Sequence, residues 1–183
     1  SQRVDGIKIW FARIPGRRDL PVFKAEVARA IIEEAHQHDL RVMAHINAAE
    51  DTTTLVRARL DGITHIAREP YDEETLQLMA RQGTTVAPTL VQRSKALIFK
   101  ENKGLLEDPL IRAALGQEAD DLRQATADAK PETLEAMRAS YEQAKENVRQ
   151  LYQAGVTLAV GTDAGTGFAP MGVVTHEEIA AFV

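Results

Sequence analysis

The chain has 183 residues, 44% apolar and 27% charged, with a formal net charge of -5, which suits one soluble globular domain with a sizeable core and leaves no electrostatic footprint for nucleic acid. It contains no cysteine, so disulfides, thiol catalysis and thiolate metal sites are excluded and any ligands must come from His, Asp, Glu and Lys. No apolar run approaches the ~20 residues of a membrane span and the first residues do not form a signal peptide, so the expected compartment is the cytoplasm.

The chain opens on Ser1 without a methionine and stops at Ala181-Phe182-Val183 inside an amphipathic pattern; a fragment of a larger domain is therefore expected. Ile7-Lys8-Ile9-Trp10 is a β-rich run, followed by a polar loop broken by Pro15 and Gly16. Asp19 is expected to cap a helix with Pro21 in its first turn and Phe23, Val27, Ile31 and Ala35 along its buried face. Arg41-Val42-Met43-Ala44-His45 reads as the second strand, and Asp51 is expected to cap a shorter helix with Leu55, Ala58 and Leu60 inward. Gly62-Ile63-Thr64-His65-Ile66 is the third strand. Asp72 then starts a helix with Leu76, Met79 and Ala80 buried, Gly83 ends it, and Thr84 to Pro88 form the fourth strand.

Beyond Thr89 the regular alternation gives way to a charged, mostly helical stretch, expected as an insertion over residues 91–130, in which Asp108-Pro109 opens one helix with Leu110, Ile111, Ala114 and Leu115 as its apolar positions. Pro131 begins a long helix with Leu134, Met137, Tyr141, Ala144, Val148 and Leu151 on one face, closed by Gly155. The fifth strand follows and delivers Asp163 at its end, within Gly161-Thr162-Asp163-Ala164-Gly165. Strands alternating with helices imply parallel pairing, and right-handed crossovers bring every strand's C-terminal end to one face.

Those ends hold the chemistry. Taken singly, Lys8 is an edge residue with its ammonium in solvent, His45 and His65 are hydrogen-bonded core residues, and Asp163 belongs to an ordinary turn. Taken together, several successive units each offer a group of the kind that binds a catalytic divalent metal. His36 and His38 read as surface residues, and His176 as a cap of the last helix.

The ordered set Val4-Asp5-Gly6-Ile7-Lys8-Ile9, Val42-Met43-Ala44-His45, Gly62-Ile63-Thr64-His65, Ala87-Pro88-Thr89-Leu90 and Gly161-Thr162-Asp163-Ala164-Gly165 resembles the later part of a metal-dependent amidohydrolase, in the branch of imidazolonepropionase-like proteins and Xaa-Pro or Xaa-Arg dipeptidases. The resemblance implies an α/β fold in which this chain, as a single domain over residues 1–183, supplies strands four to eight of a TIM-type (β/α)₈ barrel. It also implies a hydrolase of amide, cyclic amide or dipeptide C–N bonds. Lys8 is then the lysine carboxylated by CO₂ that bridges two metals, usually zinc. His45 and His65 bind one metal, and Asp163 binds the other while shuttling the proton.

The first-strand His-x-His of that family has no counterpart on an apolar strand; His36-Gln37-His38 has the spacing but ends a helix. This polypeptide is therefore expected to be inactive alone, and to self-associate or pair with the N-terminal part it lacks. Two other readings stand beside the hydrolase: a non-catalytic assembly piece completed by another chain, and a lyase that forms a Schiff base through Lys8. Arg68, Tyr71 and Arg93 could meet a substrate carboxylate, with salt bridges or packing as the plainer account of each.

Overall fold

In a computed structural model of the chain, residues 3–12, 23–102, 104–165, 169 and 171–182 are described, the side chains of residues 93, 95 and 125 apart. Five strands form one parallel sheet in sequence order: β1 (Gly6–Trp10), β2 (Arg41–His45), β3 (Gly62–Thr64), β4 (Thr85–Ala87) and β5 (Thr157–Leu158). The helices α1 (Ala25–Gln37), α2 (Ala49–Arg57) and α3 (Glu73–Gln82) make the first three crossovers, since parallel neighbours cannot be joined by a tight turn. Each of these helices stops for a local reason. After α1 and α2, Asp39 and Arg59 take positive φ, and the N–H of the following leucine returns to Ala35 or Leu55. After α3, Gly83 does so with φ +71°.

Two compact units divide the chain, the first over Ser1–Pro88 and Glu146–Ala159, the second over Thr89–Lys145 and Val160–Val183. In the first, the sheet has two unlike faces. Ile9, Val42, Ala44, Ile63 and Val86 are buried on one face, which the helices cover. The other face carries two register rows, Lys8–Met43–Gly62–Thr85–Thr157 and, one step nearer the strand ends, Trp10–His45–Thr64–Ala87. On it Lys8, Trp10 and Met43 are exposed. An all-parallel sheet is normally buried on both faces, so this face is the unusual one.

The second unit is helical: α4 (Leu90–Glu101), a 3₁₀ turn (Leu105–Glu107), α5 (Pro109–Leu115), α6 (Glu118–Ala127), the first part of α7 (Pro131–Gln153), and α8 (Val173–Ala181). Phe99, Leu106, Leu115, Ala119 and Leu122 form one core cluster, and Val91, Ala169 and Val174 another. Asp108 caps α5 as expected, accepting from the N–H groups of Leu110 and Ile111, but Leu110 itself is 81% exposed. At the end of α7, in the first unit, Val148 and Leu151 are buried.

Several expectations need correction. Helix α1 starts after Lys24, while Asp19 and Pro21 lie outside the described residues. Its buried face is Ala28, Ile32 and Ala35; Phe23 and Val27 are exposed. The α1 sequence has two apolar stripes, and the smaller residues allow the closer approach to the sheet. Asp51 lies in the first turn of α2 rather than at the cap, which is Ala48. Strand β5 stops at Leu158, so Asp163 does not stand at its end as expected but five residues beyond it. Ala159 still donates to Val86 O at 2.8 Å, but the next ladder donor on β4 would be Pro88, which has no N–H. His176 is an exposed residue inside α8, whose cap is Gly172.

Candidate functional site

Strand β2 ends on His45, and its register partner on β1 is Trp10. The indole lies flat on the imidazole, with ring centroids 3.6 Å apart and planes 14° from parallel. Trp10 Nε1 donates to Ala12 O at 3.2 Å, which fixes the indole at its far end. Backbone bonding carries this pairing past the strand, because Phe11 N–H donates to His45 O at 3.0 Å. His45 is 8% exposed, and its ring meets that of His65 edge-on at 4.2 Å.

That meeting is not what strand alternation dictates. Thr64 stands in register with His45 on the open face, so a regular next residue would point to the helix-covered face with Ile63. His65 instead has φ +76°, while its N–H still donates to Ala87 O at 2.9 Å. One left-handed residue thus ends β3 and brings a side chain of the wrong parity beside His45. The third strand is for this reason shorter than expected.

Five non-glycine residues of the described chain have positive φ: Asp39, Arg59, His65, Thr89 and Asp163. The first two terminate helices. The other three follow β3, β4 and β5 in sequence, and each such residue costs on the order of 1–3 kcal/mol and persists only where its surroundings dictate it. Of the three, His65 belongs to the first unit, and Thr89 and Asp163 to the second.

Lys8 sits one row below His45, in register with Met43, and is exposed on the edge strand β1. Asp163 belongs to the second unit, is exposed, and lies in a turn where Ala164 N–H donates to Thr162 Oγ1 at 3.3 Å and Gly165 N–H to Ala169 O at 2.9 Å. The geometry brings His45 and His65 together and puts Lys8 on the same sheet face. His36 and His38 have structural partners, Asp61 at 2.8 Å and Glu34 at 3.1 Å.

Two imidazoles meeting at the ends of adjacent strands suit a borderline divalent cation such as zinc, so the donor chemistry fits half a metal site. Among the described residues, no three His, Asp or Glu side chains gather into a metal-binding group.

Supporting side chains were not legible as functional. Asn147 is fully buried, and its Nδ2 donates to Ala67 O and Glu69 O, both at 2.9 Å. Tyr71, expected as packing or a carboxylate contact, accepts from Ala67 N–H at 3.2 Å and is buried, which raises its phenol pKa. Half-burial lowers that of Arg68, against the opposing effect of Glu69. The side chain of Arg93 is outside the described set. In the second unit, fully buried Glu178 accepts from Leu90 N–H and Val91 N–H, each at 2.9 Å, and so caps α4. Both had a sequence signal. Asn147 falls on the stripe of Ala144, Val148 and Leu151, and Glu178 lies one turn after Val174 on the buried side of α8.

No protein-family model matches the sequence. An uncharacterized protein of Mycobacterium tuberculosis and one of Mycobacterium bovis are each 28% identical over 146 residues, 80% of this chain and 32% of the relative. The chain thus spans about a third of the length of the curated relatives it matches. Among solved structures, a Xaa-Pro dipeptidase with bound methionine is similar at 23% identity and a TM-score of 0.61, covering 97% of this chain and 38% of the other. A bottromycin amidohydrolase gives 24%, 0.63, 97% and 41%, and A. niger ochratoxinase 23%, 0.62, 95% and 33%, for the same quantities. At these identities the likeness establishes the fold alone, an α/β arrangement around a parallel sheet shared with these structures.

Proposed function

We propose that the protein containing this chain is a metal-dependent hydrolase of C–N bonds, acting on a small amide or dipeptide, and that the five strands are part of a (β/α)₈ barrel whose interior is the open sheet face. The observation that carries this is the meeting of His45 and His65 at the C-terminal ends of adjacent parallel strands, achieved by a left-handed backbone at His65. A core histidine needs no such strain. The fold neighbours support the reaction class, since their names are those of a dipeptidase and amidohydrolases.

In this reading His45 and His65 donate ring nitrogens to the metal, with Trp10 holding the first ring in plane. Lys8, once converted by CO₂ to a carbamate, is an anionic donor on the same face, where a bare ammonium would oppose a cation. The metal, when bound, supplies Lewis acidity that eases deprotonation of water and the growth of negative charge on a carbonyl oxygen. Asp163 takes up the proton lost by the attacking water and returns it to the leaving nitrogen. The chain carries these groups but leaves the sheet face uncovered, so the competent site is that of the whole protein, with the remaining strands joined in cis or by another chain.

Elemental mass spectrometry of the whole protein, with a panel of dipeptides and N-acyl amino acids assayed before and after chelation, tests the proposal. Stoichiometric zinc or another divalent metal, and hydrolysis lost on chelation and restored by metal, are expected. A metal-free protein with chelator-resistant turnover would defeat it, and trapping of Lys8 by borohydride with a carbonyl substrate would favour the lyase instead.

A further inference from the structure

The geometry points to Asn147 as the positioning residue for His65: its buried amide holds the loop behind the ring and so maintains the left-handed backbone that aims the ring at His45. The inference rests on the proposed role of His65 as a ligand. A left-handed histidine persists only where neighbouring structure dictates it, and two anchors do so here. On the N-terminal side, His65 N–H is tied to Ala87 O. On the C-terminal side, Ala67, two residues on and fully buried, has both backbone groups taken by buried side chains, its carbonyl by Asn147 Nδ2 and its N–H by Tyr71 Oη.

The same Asn147 nitrogen also reaches Glu69 O, so its two hydrogens draw two loop carbonyls toward α7. No other common side chain of this size does the same work. Aspartate would set lone pairs against two carbonyl oxygens, leucine would leave the buried Ala67 carbonyl without a donor, and serine is too short. The polar residue on the apolar stripe of α7 is thereby explained: it serves the loop, and the loop serves the ring.

The test uses the intact protein, with Asn147→Asp and Asn147→Ala, and Val148→Ala as a control that removes buried volume from the neighbouring position of the same helix. Two quantities are read: the NMR cross-peak between the His45 and His65 rings in histidine-labelled, metal-free protein, and the affinity for zinc by chelator competition. Both Asn147 variants are expected to lose most of the cross-peak and to bind zinc about 10–100-fold more weakly, the scale for loss of an outer-shell partner. Val148→Ala is expected to keep both while its melting temperature falls. A wild-type cross-peak in the Asn147 variants, or an equal loss in Val148→Ala, overturns the inference. Wild-type protein that takes up no zinc refutes the metal reading alone, because the cross-peak still decides the role of Asn147. Where the Asn147 variants do not fold, Tyr71→Phe, which removes the oxygen shared by Ala67 N–H and the Thr52 hydroxyl, is expected to weaken the cross-peak; an unchanged one overturns the inference.

Discussion

At the scale of single residues, His45 and His65 reach one place by different means, one from a regular strand position and the other through a left-handed turn. Spacing could nominate both, but it could not show that they touch. Asp163 and Lys8 carry the sharper predictions. In the whole protein, Asp163→Asn keeps the shape but loses the basicity, so hydrolysis is expected to fall by about 10² or more while metal content changes less. Wild-type turnover in a metal-loaded Asp163→Asn protein rules out the proton-shuttle role. Lys8→Ala is expected to abolish activity and to be partly rescued by a short-chain carboxylic acid, which can take the carbamate's place. Rescue by a primary amine, with no response to carboxylate, would favour Schiff-base chemistry.

Among the helices, two acidic caps act in opposite pH windows. Asp72 caps α3 by accepting from Thr75 N–H at 2.6 Å, and that backbone bond, with a smaller contribution from the Thr75 hydroxyl, holds its pKa below the ordinary aspartate value. A depressed folded pKa means stability that is present above the unfolded value and lost as pH falls through the folded one. Asp72→Ala is therefore expected to cost about 1 kcal/mol at neutral pH, with the gap closing in acid when denaturant melts are run as a pH series. Glu178 caps α4 from a fully buried position, and desolvation raises its pKa more than the two N–H groups lower it. Here the contribution is fully present below the unfolded pKa and is lost as pH rises through the raised folded value. Glu178→Gln should remove that slope, so parallel wild-type and variant curves of stability against pH would contradict the assignment. Asp72 was legible from its place before an apolar period, whereas Glu178 reaches a helix 87 and 88 residues away in sequence.

For the molecule, the decisive feature lies in the first unit, whose parallel sheet is covered on one face and open on the other. Beside β1, an edge strand among the described residues, an open cleft of about 710 Å³ is lined by Ile7, Val27, Ala30, Ile31 and Leu40 together with Glu26, Glu34 and His38. An unpaired edge next to exposed apolar surface favours association. The 183-residue chain on its own is expected to form oligomers or precipitate, and its mass by light scattering should rise with concentration. Joined to the segments that cover the sheet, the same chain should lose this tendency. A monomer that stays monodisperse at high concentration would show that the open face needs no cover.

The sequence alone determined the alternation of strands and helices, the order of the strands and the ends of β1 and β2, because hydrophobic period, proline, glycine and capping residues act over a few neighbours. It could not choose which stripe of α1 faces the sheet, since Val27 and Ile31 are as apolar as the Ala28 and Ile32 that are buried more deeply there. Nor could it stop β5 at Leu158, where the limit is a missing donor on Pro88 of the neighbouring strand. The stacking of Trp10 on His45, the turn that brings His65 to it, and the hold of Asn147 on the following loop belong to the tertiary structure. Each depends on groups from different strands or helices meeting in space, and local pattern carries no record of that meeting.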